Sequence, residues 1–130
     1  MVIVYADQVA GWVNPPPHER TLKVLLSPSF QPITQGLGMG MVTLPPGRTS
    51  STHSHETEQE VWYVISGRGR VRVGDEEAEI RPDTVVVAPP EVEHQLINDG
   101  EEDLRAIWIF TPAGPEVNYL PPEKGERKEV

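Results

Sequence analysis

The sequence contains no cysteine among its 130 residues. Disulfide bonds, thiolate metal ligands and cysteine nucleophiles are therefore excluded. Long apolar runs are also missing, since none approaches the roughly 20 residues that a membrane-spanning helix needs. The apolar run at residues 1–6 is too short for a signal peptide, and no basic residue precedes it. We expect a soluble, cytoplasmic protein that does not bind a membrane.

Basic residues are scarce: 11 Lys and Arg stand against 20 Asp and Glu, giving a formal net charge of -9 at pH 7. Binding to a phosphate backbone needs clustered basic residues, so a nucleic-acid partner is not expected. The one cluster, Arg68, Arg70 and Arg72, alternates with other residues and predicts a solvated strand face. A bound dication could still attract an anionic small molecule, because it would dominate the local field.

Helical periodicity is absent, and the 14 prolines disfavour helices. Runs with a period of two recur instead, bounded by Gly, Pro, Asp and Asn. This pattern predicts an all-β protein of eight or nine short strands in a jelly-roll barrel. The predicted strands are Leu22–Leu26, Gly38–Leu44, Glu60–Ser66, Arg70–Gly74, Ala78–Ile80, Thr84–Val87, Gln95–Ile97 and Leu104–Phe110, with a further short strand ending near His55.

The two ends differ in character from the middle. Residues 1–20 contain three consecutive prolines and predict an extended arm. Residues 21–112 form the predicted barrel, and residues 113–130 a tail rich in Pro and charge, whose last ten residues are expected to fray. An apolar island in this tail could dock on the barrel, on its mouth or on a partner subunit; it consists of Val117, Tyr119 and Leu120.

Three glycines alternate with apolar residues just before and within the second predicted strand: Gly36, Gly38 and Gly40. Such a bare strand face allows either the close approach of a ligand or partner strand, or tight contact between sheets. We favour tight contact. No helix follows the glycines, so they do not form a dinucleotide-binding motif.

Three histidines and one glutamate stand out as candidate metal ligands. His53 and His55 are two residues apart, so on a strand both side chains lie on one face and can converge on an ion. Glu60 opens an apolar strand, where a buried carboxylate needs either a metal or a salt bridge to Arg68 or Arg70. His94 begins a further strand; a lone histidine in such a place is more often an ordinary hydrogen-bonded histidine than a ligand.

The spacing around these residues resembles the two motifs of the cupin superfamily. Gly47 is followed after five residues by His53-x-His55, after four more by Glu60, and after six more by Gly67. In the second motif, Pro89 precedes His94 and three residues then separate His94 from Asn98. Two positions depart from the pattern, because Asp83 and Glu91 stand where the family usually has glycine. The resemblance covers residues 40–110.

This resemblance implies a jelly-roll barrel, usually a homodimer in small members of the family. It implies that His53, His55, Glu60 and His94 bind one divalent ion. Family members use Mn, Fe, Ni, Co, Cu or Zn. Their activities include those of dioxygenases, decarboxylases, isomerases, cyclases and lyases, and some members only bind ligands. The fold therefore does not determine the reaction.

Strand parity predicts which side chains line the barrel interior. The predicted pocket residues are Met41, Trp62, Trp108 and Phe110. Residues two apart share a face, so an inward Glu60 and an outward Arg105 place the three aromatic residues inside. Met41 has an odd residue number, like His53 and His55, and is therefore predicted to face the same interior. No Arg or Lys is predicted to point inward, which argues against phosphosugar and dicarboxylate substrates.

Apolar residues also face outward on the strand that Glu60 opens: Val61, Tyr63 and Ile65. A second layer or another subunit must cover them, which favours a homodimer. No spare histidine is apparent for proton transfer, because His18 lies in the proline-rich arm.

The residues support two main hypotheses for function. The first is a metal-dependent enzyme whose small-molecule substrate chelates the ion inside the barrel, with either dioxygenase or isomerase and lyase chemistry. Three imidazoles and a carboxylate suit an octahedral divalent ion and leave two positions open. The second is a non-catalytic binding or sensor protein with a structural metal. A metal-free barrel is a third possibility, disfavoured by the complete ligand set.

Overall fold

Nine β-strands form most of the regular structure in the computed structural model, which describes residues 1–119. The strands are β1 (Trp12–Asn14), β2 (Arg20–Leu26), β3 (Gly38–Leu44), β4 (Gln59–Ser66), β5 (Gly69–Val73), β6 (Glu76–Ile80), β7 (Val85–Ala88), β8 (His94–Ile97) and β9 (Leu104–Thr111). Two short 3-10 helices flank them, η1 (Ala6–Gln8) and η2 (Pro115–Tyr119). The eight predicted strands correspond to β2–β9, with each end within two residues of its predicted position.

The strands form two antiparallel sheets. The larger has six strands in the order β1-β2-β3-β9-β4-β7, and the smaller has three in the order β6-β5-β8. Strand β9 thus lies between β3 and β4, although both of these strands are far from β9 in the sequence. Two isolated bridges, Thr49 to Ile97 and His53 to His94, attach the loop after β3 to β8. This arrangement confirms the predicted all-β jelly-roll barrel.

The core lies between the sheets, because every second residue on the central strands is buried. Strand β3 alternates buried and half-buried residues from Gly38 to Leu44, and β9 does the same from Leu104 onward. On β4, Trp62 and Val64 face inward while Tyr63 is exposed. A period of two is what a strand with one face on the core requires.

The glycines of β3 are contacted by other side chains of the same chain. A Cβ atom at Gly38 would lie 2.3 Å from Oε1 of Glu116, and one at Gly40 would lie 2.2 Å from the ring of Trp108. The bare face therefore makes room for close packing of η2 and β9 on β3. Both positions are tightly packed, but the predicted contact between sheets is wrong: the partner of Gly38 is a short helix, and Trp108 lies on β9 in the same sheet as Gly40.

The two ends of the described chain pack on the barrel more than the sequence indicated. Within the predicted arm, β1 pairs with β2, with Asn14 opposite Arg20. At the other end, η2 packs against β2 and β3 and buries Tyr119. Leu120 and the end predicted to fray lie outside the described residues. Within residues 1–119, no helix is long and apolar enough to span a membrane.

Apolar side chains are exposed along one edge of the larger sheet. Val85 and Val87 on the edge strand β7 are 60% and 51% exposed, and Tyr63 on the neighbouring β4 is exposed as well. A second subunit could cover this edge, and the homodimer stays a prediction.

Two residues other than glycine adopt a left-handed backbone conformation in the described chain, Asp83 (φ 65°) and Glu91 (φ 67°). They are the two positions where the sequence departs from the glycines of the resembling family. The backbone geometry is therefore kept although the residue that adopts it most easily is absent. At the second position the N–H of Glu91 donates to the carbonyl oxygen of His55 at 2.6 Å, which ties this turn to a candidate metal ligand.

Substituting Glu91→Gly is expected to be neutral or to stabilise the protein by up to about 1.5 kcal/mol. Removing the side chain relieves left-handed strain of about 1–2 kcal/mol, while glycine gains about 0.4–1 kcal/mol of unfolded-state entropy. The matched control is Glu93→Gly, which is also exposed but lacks a positive φ. It should lose about 0.5–1 kcal/mol. Urea unfolding measures the free energy of unfolding of both variants. Equal destabilisation of the two would contradict the strain at Glu91.

Candidate metal centre

Four buried side chains converge on one point inside the barrel: His53, His55, Glu60 and His94. Two backbone hydrogen bonds between His53 and His94 join the loop to β8. The nitrogen of His53 lies 3.3 Å from the carbonyl oxygen of His94, and the nitrogen of His94 lies 2.9 Å from that of His53. Glu60 is contributed by β4 from the facing sheet. One ligand atom from each residue lies within 4.8 Å of the others. The structure thus brings all four predicted ligands together.

The distances within this cluster fit a single small ion. Oε1 of Glu60 lies 2.8 Å from Nε2 of His94, 3.5 Å from Nε2 of His55 and 3.6 Å from Nε2 of His53. Ligand atoms that bind one ion at about 2.0–2.2 Å and at right angles lie about 3 Å from each other. The cluster is therefore already close to the spacing of a coordination shell.

Backbone carbonyls orient two of the imidazoles. Nδ1 of His53 lies 3.0 Å from the carbonyl oxygen of Ser51, and Nδ1 of His94 lies 3.0 Å from that of Val92. Because a carbonyl oxygen only accepts, Nδ1 must carry the hydrogen in both rings. In the neutral form that binds an ion, each of these rings then has its lone pair on Nε2, the atom that faces the centre of the cluster.

Three buried side-chain atoms lack a hydrogen-bond partner among the residues that the structure describes: Nε2 of His53, Nε2 of His55 and Nε1 of Trp108. Buried polar atoms without a partner are rare and call for an explanation. A divalent ion at the centre would satisfy the two imidazole nitrogens. The residues present therefore fit such an ion.

Glu60 carries the negative charge of the site. Burial alone raises the pKa of Glu60. Hydrogen bonds with the imidazoles of His53, His55 and His94 lower the pKa, the charge on His53 lowers it further, and together they outweigh burial. The pKa lies well below its usual range, so the carboxylate is ionised. The alternative of a salt bridge to Arg68 or Arg70 is wrong for the described residues, because the ion-pair contacts of Glu60 are to the three imidazoles. Arg70 pairs instead with Glu77 on β6 at 2.9 Å.

Aromatic side chains surround the four ligands. The ring of Trp62 lies 5.2 Å from that of His94, and the ring of Phe110 lies 4.9 Å from that of His55. Trp108 packs next to Phe110 at 5.3 Å. These three predicted pocket residues thus lie in the barrel interior beside the ligands. Their contact with a substrate stays a prediction.

Met41 does not share this interior. It lies on the face of β3 opposite to the buried Gly40 and Val42, and it is half-buried. In the sheet it pairs with Lys23 on one side and Ile107 on the other. The prediction that Met41 lines the pocket is wrong, because the loop between β3 and the histidines breaks the strand parity on which it depended.

The space left inside is small. A cavity of about 20 Å³ lies against His53, Glu60, Trp62 and Trp108, which is about the room that one water molecule needs. Tyr119 of η2 lines the same cavity, with its ring 5.2 Å from that of Trp108. Of the docking positions left open for the apolar island, Tyr119 takes the barrel itself, where it lines the inner cavity, whereas Val117 is exposed.

The sequence missed one charged residue of this cavity. Arg20 is 3% exposed and lines the cavity together with His53 and Glu60. Its guanidinium donates to the carbonyl oxygen of His18 at 2.9 Å and to Oγ of Ser51 at 3.5 Å. The prediction that no Arg points inward is therefore wrong. Parity with the buried Leu22 could have revealed it, had β2 been predicted to begin at residue 20.

Comparison with known proteins identifies the family. Residues 40–110, more than half of the chain, match the family model described as "Cupin domain". The chain therefore belongs to the cupin family.

Relatives of known name come from several bacteria. The chain is 32% identical over 95 residues to "Polyketide synthase CurC" of Streptomyces cyaneus, covering 73% of this chain and 61% of that protein. It is 28% identical over 115 residues to "Tetracenomycin polyketide synthase protein TcmJ" of Streptomyces glaucescens, covering 87% and 76%. It is 31% identical over 67 residues to "Oxalate-binding protein" of Thermotoga maritima, covering 52% and 55%.

Solved structures show the same fold. A crystal structure of a "predicted oxalate decarboxylase" from Thermotoga maritima superposes with a TM-score of 0.78 at 21% identity, covering 86% of this chain and all of that one. The structure of KdgF from Halomonas sp. gives 0.76 at 20% identity, covering 90% and 98%. At these identities the likeness concerns the barrel alone.

Substituting His53→Ala is expected to weaken the binding of a divalent ion by more than about a hundredfold. Loss of an outer-shell partner already costs about 10–100-fold, and a direct ligand contributes more. The matched control is His18→Ala, since His18 lies outside the cluster and contacts the carbonyl oxygen of Thr49. Metal content after dialysis and calorimetric titration with Zn²⁺ measure the difference. Equal affinity in the two variants would show that His53 is not a ligand.

Proposed function

We propose that the chain is a metal-dependent enzyme that acts on a small molecule bound to a divalent ion inside the barrel. The ligands would be His53, His55, Glu60 and His94. The observation that carries this proposal is the convergence of three Nε2 atoms and one ionised carboxylate in an aromatic interior. Four protein ligands leave two positions of an octahedral ion for a substrate. Mn, Fe, Ni, Co, Cu and Zn all suit this ligand set.

The bound ion would polarise an oxygen atom of the substrate or, if it is redox-active, exchange electrons with it. The residues of the chain prepare that step. Glu60 offsets part of the charge of the ion, and the carbonyls of Ser51 and Val92 hold two imidazoles in the ligating tautomer. Trp62, Trp108 and Phe110 exclude water and pack on the apolar part of a substrate.

The names of the relatives support a small, oxygen-rich substrate. Two of the names contain the words "polyketide synthase", and a third is "Oxalate-binding protein". Dioxygenase chemistry and isomerase or lyase chemistry both remain within the proposal. The cytoplasmic location stays a prediction.

The alternative is a binding or sensor protein in which the metal is structural. One observation favours it. Apart from the metal ligands, the titratable side chains among the described residues that line the cavity are Arg20 and Tyr119. Neither is a histidine or a carboxylate, the side chains that most often transfer protons in catalysis.

The decisive experiment compares metals in one preparation. The protein is stripped of metal and reloaded separately with Mn, Fe, Co, Ni, Cu and Zn. Each form is then incubated with oxalate, β-diketones, hydroxy acids and polyketide-like phenols. Turnover is detected by NMR and by oxygen consumption. We expect it with at least one metal, and we expect it to be lost in His53→Ala. Ligand binding without turnover for every metal would instead support the sensor.

Substituting Tyr119→Ala is expected to speed the association of a small ligand at least several-fold, because the ring fills the space beside the metal ligands. The variant should also lose about 3–5 kcal/mol of stability, as expected for removing a large buried ring. Tyr5→Ala is the matched control, since Tyr5 is exposed. Stopped-flow fluorescence of the tryptophans with oxalate measures the rate. An unchanged rate in a destabilised but folded Tyr119→Ala would contradict this role.

A further inference from the structure

The indole nitrogen of Trp108 is a buried polar atom that the candidate metal centre does not explain. Within residues 1–119, the buried side-chain atoms without a hydrogen-bond partner are Nε2 of His53, Nε2 of His55 and this Nε1. An ion would satisfy the two imidazole nitrogens, whereas an indole N–H can only donate. The side chain of Trp108 is 1% exposed. A buried donor without an acceptor costs free energy, so an acceptor beside Trp108 would stabilise the protein.

The surroundings of Trp108 show where such an acceptor can lie. Two carbons at the six-membered end of its ring pack where a side chain of Gly40 would be. The rings of Phe110 and Tyr119 pack on it at 5.3 and 5.2 Å, and aromatic faces accept hydrogen bonds only weakly. The cavity of about 20 Å³ adjoins Trp108 as well. This volume is about the room that one oxygen-sized group needs.

Trp108 also lies one step along the strand from the candidate metal ligands. In the pairing of β4 with β9, Glu60 is opposite Phe110 and Trp62 is opposite Trp108. Residues two apart on a strand share a face and lie about 6.4–6.8 Å apart. The cavity reaches both levels, because Glu60 and Trp108 line it together. A small ligand with two neighbouring oxygens can therefore contact the ion with one of them and Trp108 with the other.

We propose that the indole N–H of Trp108 donates a hydrogen bond to an oxygen of the ligand in the metal site, next to the oxygen that coordinates the ion. This inference rests on the proposed function and narrows it to substrates with two neighbouring oxygens, such as a carboxylate or a vicinal diol. A ligand without the second oxygen leaves the buried N–H unsatisfied. Trp108 is then a specificity-determining residue, because a site built to donate to a ligand discriminates strongly against one that lacks the acceptor.

The first test is the ¹⁵N–¹H NMR spectrum of the zinc-loaded protein, in which three tryptophans give three indole signals. The signal of Trp108 is the one missing in Trp108→Phe. Acetate should move this signal downfield, since its second oxygen accepts from the indole. Ethanethiol coordinates zinc through sulfur and offers no second acceptor, so it should leave the signal near its original position. The chain has no cysteine that the thiol could react with.

Calorimetric titration with the same two ligands is the second test. Trp108→Phe should bind acetate at least about tenfold more weakly, as expected for losing a hydrogen bond to a charged group. Its affinity for ethanethiol should stay close to that of the wild type, and zinc should still bind at one equivalent. The matched control is Trp12→Phe on β1, away from the cavity, which should bind both ligands like the wild type.

Several results would overturn this inference while leaving the metal centre intact. They are acetate binding with an unmoved Trp108 signal, ethanethiol binding without acetate binding, and an acetate affinity that Trp108→Phe leaves unchanged. An equal loss of affinity for both ligands would show repacking alone and would overturn it too. If Trp108→Phe does not fold, the wild-type signal decides, identified by elimination with Trp12→Phe and Trp62→Phe.

Failure of the proposed function has a different signature. A protein that does not bind zinc, or whose zinc-loaded form binds neither acetate nor ethanethiol, overturns the proposed function and the role of Trp108 together.

Discussion

The ionised carboxylate of Glu60 inside the barrel is the constraint around which the site is organised. A bare charge in such a place is costly, so the surrounding chain must supply partners. Three imidazoles surround it, with Nε2 atoms 2.8–3.6 Å from one carboxylate oxygen, and a divalent ion shared with them would compensate the charge. To bring them there, β4 and β8 face each other across the interior, and the loop after β3 is attached to β8 at His53 and His94.

Most of the fold was predictable from local pattern, whereas the full set of four candidate ligands was predictable only from the resemblance to the family motifs. Alternation with a period of two marks a strand with one buried face, and β2–β9 follow it within two residues at each end. The ligands follow from spacing, because His53 and His55 share a face of a short extended segment. The backbone at Asp83 and Glu91 shows why imperfect motif positions did not matter, since both keep the left-handed conformation that glycine adopts elsewhere.

The failures have a common physical origin in long-range register. Strand parity holds only within one strand, so it placed Met41 wrongly once a loop intervened. The short β1 has little pattern of its own and exists through pairing with β2, which also places Arg20 at the cavity. Tyr119 reaches the interior only because the chain after β9 folds back over β2 and β3.

Helix η2, which follows β9, limits the cavity volume but supplies none of the four candidate metal ligands. Buried Glu116 accepts hydrogen bonds from Oγ of Ser27 at 2.6 Å and from the N–H of Gly114 at 2.7 Å, in a space that the missing side chain of Gly38 provides. The metal ligands come from the barrel, whereas the volume beside them is limited by residues beyond its last strand. Substrate size could therefore diverge between family members through changes after β9, with the coordination chemistry untouched.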